Sequence, residues 1–208
     1  MTAWPMRSWE QVPFDDVCTG ILESGGIGGH DTPVSSTRRV PGTESERYSA
    51  LVERSWLFLR FLPPCDWYRV RIEAPRDLGD LRVIAEESWF SDPSRADRDL
   101  RSVTASLAPG SQHYARVAAW ESALDLTALD RRVTLFGRSR EGPFTILDGN
   151  HRLLALTRRV GRAGVEPTGF DAYVGLSFGN CRWHGDVVRW EERPPRHGEG
   201  RRYVLRVW

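Results

Sequence analysis

The sequence predicts an α+β domain built on a mixed sheet, and three observations carry that expectation. Apolar residues alternate with polar ones over 68–72 and again over 170–176, which is the period of a half-buried strand. Two further apolar runs, 132–138 and 144–147, flank the polar turn Ser139-Arg140-Glu141-Gly142 and read as a hairpin. Between the first strand and that hairpin, and directly after it, apolar residues recur at helical spacing. The chain has 208 residues, 40% hydrophobic and 27% charged, enough for one medium domain with small appendages.

Taken in order, residues 1–43 read as irregular, punctuated by Pro5, Pro13, Pro33 and Pro41, with a flexible tract over Gly25-Gly26-Ile27-Gly28-Gly29. Trp4, Trp9 and Phe14 imply that this arm packs on something. Thr43 or Ser45 caps a helix carrying Tyr48, Leu51, Val52 and Leu59, which Pro63-Pro64 must end. After the strand at 68–72, 81–84 reads as a short extended piece, and Asp92-Pro93-Ser94 starts a helical tract with Leu100, Val103 and Leu107 on one face. Pro109-Gly110 separates it from a second helix carrying Tyr114, Val117, Ala118 and Leu124. The hairpin leads into a helix from Gly149 to about Val160, then the strand at 170–176. Two strand-like tails, 187–190 and 203–208, close the chain as a β-hairpin with a long polar loop. The expected organisation is an arm and helix over 1–66, a core over 67–178 and a hairpin extension over 179–208.

Composition excludes chemistry. All 29 basic residues are arginine and none is lysine. A Schiff-base enzyme, a lysine-anchored pyridoxal enzyme, a Walker A loop and a protein-kinase fold all need that ammonium group. Any phosphate must be held by arginine, backbone amides or metal. Cys18, Cys65 and Cys181 form no CxxC pair, so no thioredoxin-like site or zinc ribbon is built from them, and Cys181-Arg182-Trp183-His184 is only half a zinc spacing. A net charge of +1 and the lack of any eighteen-residue apolar run point to a soluble, cytoplasmic chain without membrane contact, and disfavour a nucleic-acid-coating role.

One segment carries chemistry: Phe144-Thr145-Ile146-Leu147-Asp148-Gly149-Asn150-His151-Arg152, a strand, a tight turn and a helix start. Asp148 is placed to cap, Gly149 to allow the sharp turn, and the amides of Asn150, His151 and Arg152 to face an anion at the positive end of the helix dipole. Arg152 adds a bidentate anion ligand, Asp148 can hold a metal or accept a proton, and His151 can donate one. The structural alternative is that Asp148 only caps, His151 only bonds within the core and Arg152 only pairs with a carboxylate.

This strand-turn-helix, with the element order over 67–178, resembles the ParB/sulfiredoxin-like superfamily, and D-G-N-H-R is similar to its nucleotide-phosphate motif. The resemblance implies a mixed sheet with helices, ATP or ADP with magnesium, and phosphate held by Gly149, Asn150, His151 and Arg152. Sulfiredoxin-like members place a catalytic cysteine where this chain has Asn150. ParB partition proteins carry G-E-R-R and a downstream helix-turn-helix, where this chain turns to a hairpin. Free-serine-kinase-like members carry D-G-x-H-R together with an earlier acidic base, matched in position by Glu73, with Glu86 and Glu87 as rivals.

The function expected is therefore a nucleotide-dependent phosphotransferase acting on a small hydroxylated metabolite, with Asp148 at the metal, His151 and Arg152 on the phosphates, and Glu73 or Glu86 taking the proton. The alternatives are a non-catalytic nucleotide- or metabolite-binding accessory protein of a biosynthetic pathway and, behind it, a nucleic-acid-acting relative using Arg158-Arg159-Arg162 and Arg193-Arg196-Arg201-Arg202. A second copy of the chain is a partner the reading allows. Trp183 is a candidate base-stacking residue beside His184 and Asp186, against the alternative that it fills a core.

Overall fold

The computed structural model describes residues 6–23, 40–60, 62–73, 75–85, 89, 97–124, 133–163, 168–185, 188–193 and 202–207. The Gly25–Gly29 tract, Glu86, Glu87, the helix start expected at Asp92, and Asp186 lie outside those residues. The described elements are mixed α+β: β1 (Met6–Gln11), α1 (Phe14–Glu23), α2 (Glu44–Arg60), β2 (Asp66–Ile72), α3 (Leu100–Ser106), α4 (Gln112–Ala123), β3 (Val133–Gly137), β4 (Thr145–Asp148), α5 (Asn150–Ala163), β5 (Phe170–Leu176), β6 (Val188–Arg193) and β7 (Arg202–Val207). No helix among the described residues is long and apolar enough to cross a membrane.

Five strands form one sheet in the order β1-β2-β5-β3-β4. Only β3 and β5 run parallel, and the other pairs are antiparallel. From Tyr68 on the burial pattern of β2 alternates as its sequence predicts, with Val70 and Ile72 buried between the exposed Arg69 and Arg71, while Trp67 is buried on the opposite face; β3, between β5 and β4, is buried along its whole length. The extended piece at 81–84 widens the sheet beyond β4: the Arg82 amide donates to Phe144 at 2.9 Å and its carbonyl accepts from Ile146 at 2.8 Å. On its other side Val83 donates to the Arg98 carbonyl and Leu100 to Leu81. The second sheet is the β6–β7 hairpin, in register from Val188↔Val207 to Arg193↔Arg202.

The N-terminal segment departs from the expected irregular arm. Met6–Gln11 is an edge strand on β2, with a register break between Arg7 and Glu10 where Ser8 takes φ 55°. Residues 14–23 form an amphipathic helix whose Val17, Ile21 and Leu22 are buried in the common core, each contributing about 1.5–3 kcal/mol. Proline spacing hid both: Pro5 precedes the strand and Pro13 precedes the helix, positions where proline is tolerated. A boundary at residue 66 thus runs through one continuous sheet. Thr43 and Glu46 make a reciprocal capping box at the start of α2, and Arg47 forks onto Asp15 of α1, with Nε 2.7 Å from Oδ1.

Two carboxylates tie the surface to this frame. Hydrogen bonding to Arg47 holds Asp15 below the usual carboxylate range. Burial alone would raise Asp171, but the guanidinium groups of Arg69 (2.7 Å) and Arg71 (3.2 Å) outweigh it and lower the carboxyl. A depressed folded pKa gives stability that is complete above the unfolded value of about 3.9 and is lost as pH falls through the folded value. Thermal melts from pH 7 to 2.5 should therefore show Asp171→Asn less stable than wild type at neutral pH, with the two converging below about pH 4.

Candidate functional site

The predicted strand-turn-helix is present: β4 ends at Asp148 and α5 begins at Asn150. Gly149, at φ +94°, makes the turn, and its carbonyl accepts the first helical bond, from Leu153 at 3.0 Å. The cap position thus belongs to Gly149, and Asp148 is the last strand residue, because the left-handed turn places the helix start one residue later.

The side chains of the motif turn inward. Arg152 Nη2 donates to Asp148 Oδ2 at 2.8 Å, the two side chains are 4% and 5% exposed, and the guanidinium carbon lies 5.8 Å from the Trp120 ring centre. The sequence reading expects Arg152 on a phosphate and Asp148 at a metal; the structure brings the two side chains together across the strand-to-helix turn. Asn150 is also spent on the fold. Its Oδ1 accepts from Ile84 at 3.1 Å and its Nδ2 donates to Ile146 at 3.2 Å, pinning α5 to the extended piece and to β4. Among the described residues, no three histidine, cysteine or acidic side chains gather as a metal set.

His151 is likewise buried, 6% exposed, against another helix. It is the second residue of α5, and its Nε2 lies 3.0 Å from Nδ1 of His113, the second residue of α4. The N-terminal turns of two helices therefore adjoin, and their positive dipole ends add at one place. Ser111 caps α4 through the Tyr114 amide at 3.1 Å, so that helix end is fixed. Only one proton fits between the two facing nitrogens, so a neutral pair has one donor and one acceptor. Trp89 stacks on His113 at 3.6 Å between ring centres and 13° between planes, and reaches His151 at 4.9 Å. Sequence reading missed both residues: His113 stands alone at a helix start, and Trp89 has no motif around it.

The other candidates lie elsewhere. Glu73 follows β2, 61% exposed, with Arg7 3.8 Å away. Two strands separate β2 from β4, placing it about 14 Å from Asp148 across the sheet. Trp183 is 7% exposed and belongs to the core, with its carbonyl accepting from Ala85, so it offers no open face to a base. Buried His184 bonds Thr145 Oγ1 at 2.9 Å, at the start of β4 and roughly 10 Å from Asp148. Arg98 holds the turn there by donating to the carbonyls of Val83 (3.1 Å) and His184 (2.7 Å). Arg158 and Arg162 pair with Glu121 of α4 at 3.5 and 2.6 Å, and Arg159 donates to the Glu121 carbonyl, which turns that arginine group onto its own surface. Burial pushes the Cys18 thiol up to about 11 and the Cys65 thiol to about 12, so neither is a nucleophile near neutral pH. An open groove of about 500 Å3 lies at the opposite end of the sheet, lined by Cys65, Tyr68, Arg138 and Phe178 among others.

No family model matches the chain, and neither a curated protein nor a solved structure matches it.

Proposed function

We propose that the chain is a ParB/sulfiredoxin-like domain that binds a nucleotide or another phosphorylated metabolite at the adjoining N-terminal turns of α4 and α5. The observation that carries this reading is the 3.0 Å contact between His113 and His151, the second residues of the two helices. Two helix starts side by side favour an anion more than either does alone, and the imidazole pair adds a ring N–H donor. With Asp148 and Arg152 committed to each other and Glu73 on a distant strand, the residues at the site do the work of binding. A second reading keeps turnover: nucleotide-dependent phosphotransfer to a small hydroxylated metabolite. It is favoured by the same histidine pair, which supplies a proton acceptor in the place that Glu73 does not reach.

The test is calorimetric titration of ATP, ADP and CTP, with and without magnesium, against wild type and His113→Glu. A glutamate at the second position of α4 suits the helix dipole and can bond His151, yet it puts negative charge where the phosphate would lie. Saturable wild-type binding should weaken by at least about tenfold in the variant, with no loss of thermal stability. Binding by none of the nucleotides would overturn the reading, and binding indifferent to His113→Glu would move the site away from α4. Nucleotide consumption in the presence of hydroxylated acceptors then decides between binding and transfer.

A further inference from the structure

Among the described residues Phe178 is the most exposed large hydrophobic side chain, 85% against 49% for Tyr48. It sits in the turn after β5, and three hydrogen bonds fasten that turn. The Ser177 amide donates to the Gly137 carbonyl at 3.1 Å, the Gly179 amide to Ser177 Oγ at 3.1 Å, and Arg138 Nη1 to the Phe178 carbonyl at 3.0 Å. A fixed backbone therefore holds the ring in water, where it forgoes the stabilisation that burial brings an aromatic side chain. Beside it runs the open groove of about 500 Å3 at this end of the sheet, with Pro64, Cys65, Tyr68 and Leu176 among its walls. Tyr68 is itself held in place, by Trp9 edge to face at 5.6 Å and by the Arg140 guanidinium at 5.1 Å, so the groove has its shape before anything enters it. The same groove carries both signs of charge, in Asp66 and Arg138.

We infer that this end of the sheet is a two-fold interface with a second copy of the chain, in which Phe178 of each copy enters the groove of the other and Arg138 of each meets Asp66 of the other. A two-fold interface requires one patch to hold both members of every contact, because what one copy offers the other must receive, and the reverse. Here a projecting aromatic ring lies beside a groove with apolar walls, and a guanidinium and a carboxylate line that same groove. A foreign partner would need to match only one of the two shapes and one of the two charges. A patch complementary to itself in both singles out the second copy. Aromatic anchors seated in pockets, with arginine beside them, carry most of the energy in interfaces of this kind. The groove lies at the opposite end of the sheet from the starts of α4 and α5, so the inference stands apart from the anion site.

Sedimentation equilibrium of the full chain over about 1 to 300 μM tests this. Wild type should pass from monomer to dimer within that range, and Phe178→Asp should weaken association at least about tenfold. At the lowest concentration the two should melt alike, since a ring 85% exposed supports little within the single chain. The decisive arm is a mixture. Asp66→Arg and Arg138→Asp should each self-associate at least about tenfold more weakly than wild type, because like charges then face each other at both symmetry-related contacts. Mixed together, the two variants should recover most of the wild-type affinity, since every contact between unlike copies again joins opposite charges. A wild type that stays monomeric at every concentration would overturn the second copy as occupant and leave the groove to a segment of another protein. A dimer indifferent to Phe178→Asp would overturn this face as the interface, and a mixture that associates no better than its components would overturn the pairing of Arg138 with Asp66.

Discussion

Replacing Arg152 with Met should cost about 3–5 kcal/mol of folding stability, read as a drop in the urea midpoint at unchanged slope. The size follows from burial: guanidinium and carboxylate are 4% and 5% exposed, so water does not screen them, and removing one charge takes the arginine partner from a buried carboxylate. The double variant Asp148→Asn, Arg152→Met should lose clearly less than the single one, because the uncompensated charge is then gone. A single-variant cost below about 1 kcal/mol would mean that the pair is solvated, and would return Arg152 to the role of anion ligand that its place in the motif suggested. The prediction bears on how the site is probed. An Arg152 variant that fails to bind nucleotide reports a damaged fold as readily as a lost contact, which is why His113, nearer solvent, is the informative position.

Much of the frame was legible because local pattern and tertiary demand agree. The alternation in β2 from Tyr68 on, the hairpin of β3 and β4, and the helical spacing in α4 and α5 each follow from which face must be buried, whereas β5, between β2 and β3, is buried on both faces from Ala172 to Gly175. The missed elements were those where punctuation was read as interruption: β1 and α1 sit between prolines that only mark their starts. At the candidate site the motif located the turn, but the partners of its side chains were not legible in it. Residue types in D-G-N-H-R suit an anion site and a self-satisfied core corner equally, and only the partners decide. Asn150 found Ile84 and Ile146, and Arg152 found Asp148. The histidine that His151 meets comes from 38 residues earlier in the chain, and Trp89 from another segment still, so no local spacing announces the cluster. The same holds for Glu73: lying at the end of a strand placed it at the correct end of the sheet but on the wrong strand.

The turn itself should be the second sensitive point. A Cβ at residue 149 would lie 2.7 Å from Val133 Cγ1 and 3.1 Å from Arg152 Nη2, and φ +94° is strained for any L side chain. Gly149→Ala should therefore cost roughly 2–4 kcal/mol, about 1–2 from the left-handed backbone and the remainder from overpacking against β3. The two parts are separable. In a Val133→Ala background, itself destabilised by the methyl groups it lacks, adding Gly149→Ala should cost less than in wild type, since the closest obstruction, Cγ1, is gone and the backbone share and the 3.1 Å approach to Arg152 Nη2 remain. If Val133→Ala brings no such relief, contact with β3 does not set the turn and the cost lies in the backbone and in the approach to Arg152. The functional consequence follows from what the turn aims. α5 leaves the sheet at the angle Gly149 permits, and that angle places His151 against His113. A methyl group that forces Val133 and α5 apart should weaken nucleotide binding even at temperatures where the variant is fully folded, whereas Gly110→Ala, at a positive φ of 87° with open space around it, should carry a backbone cost and leave binding intact.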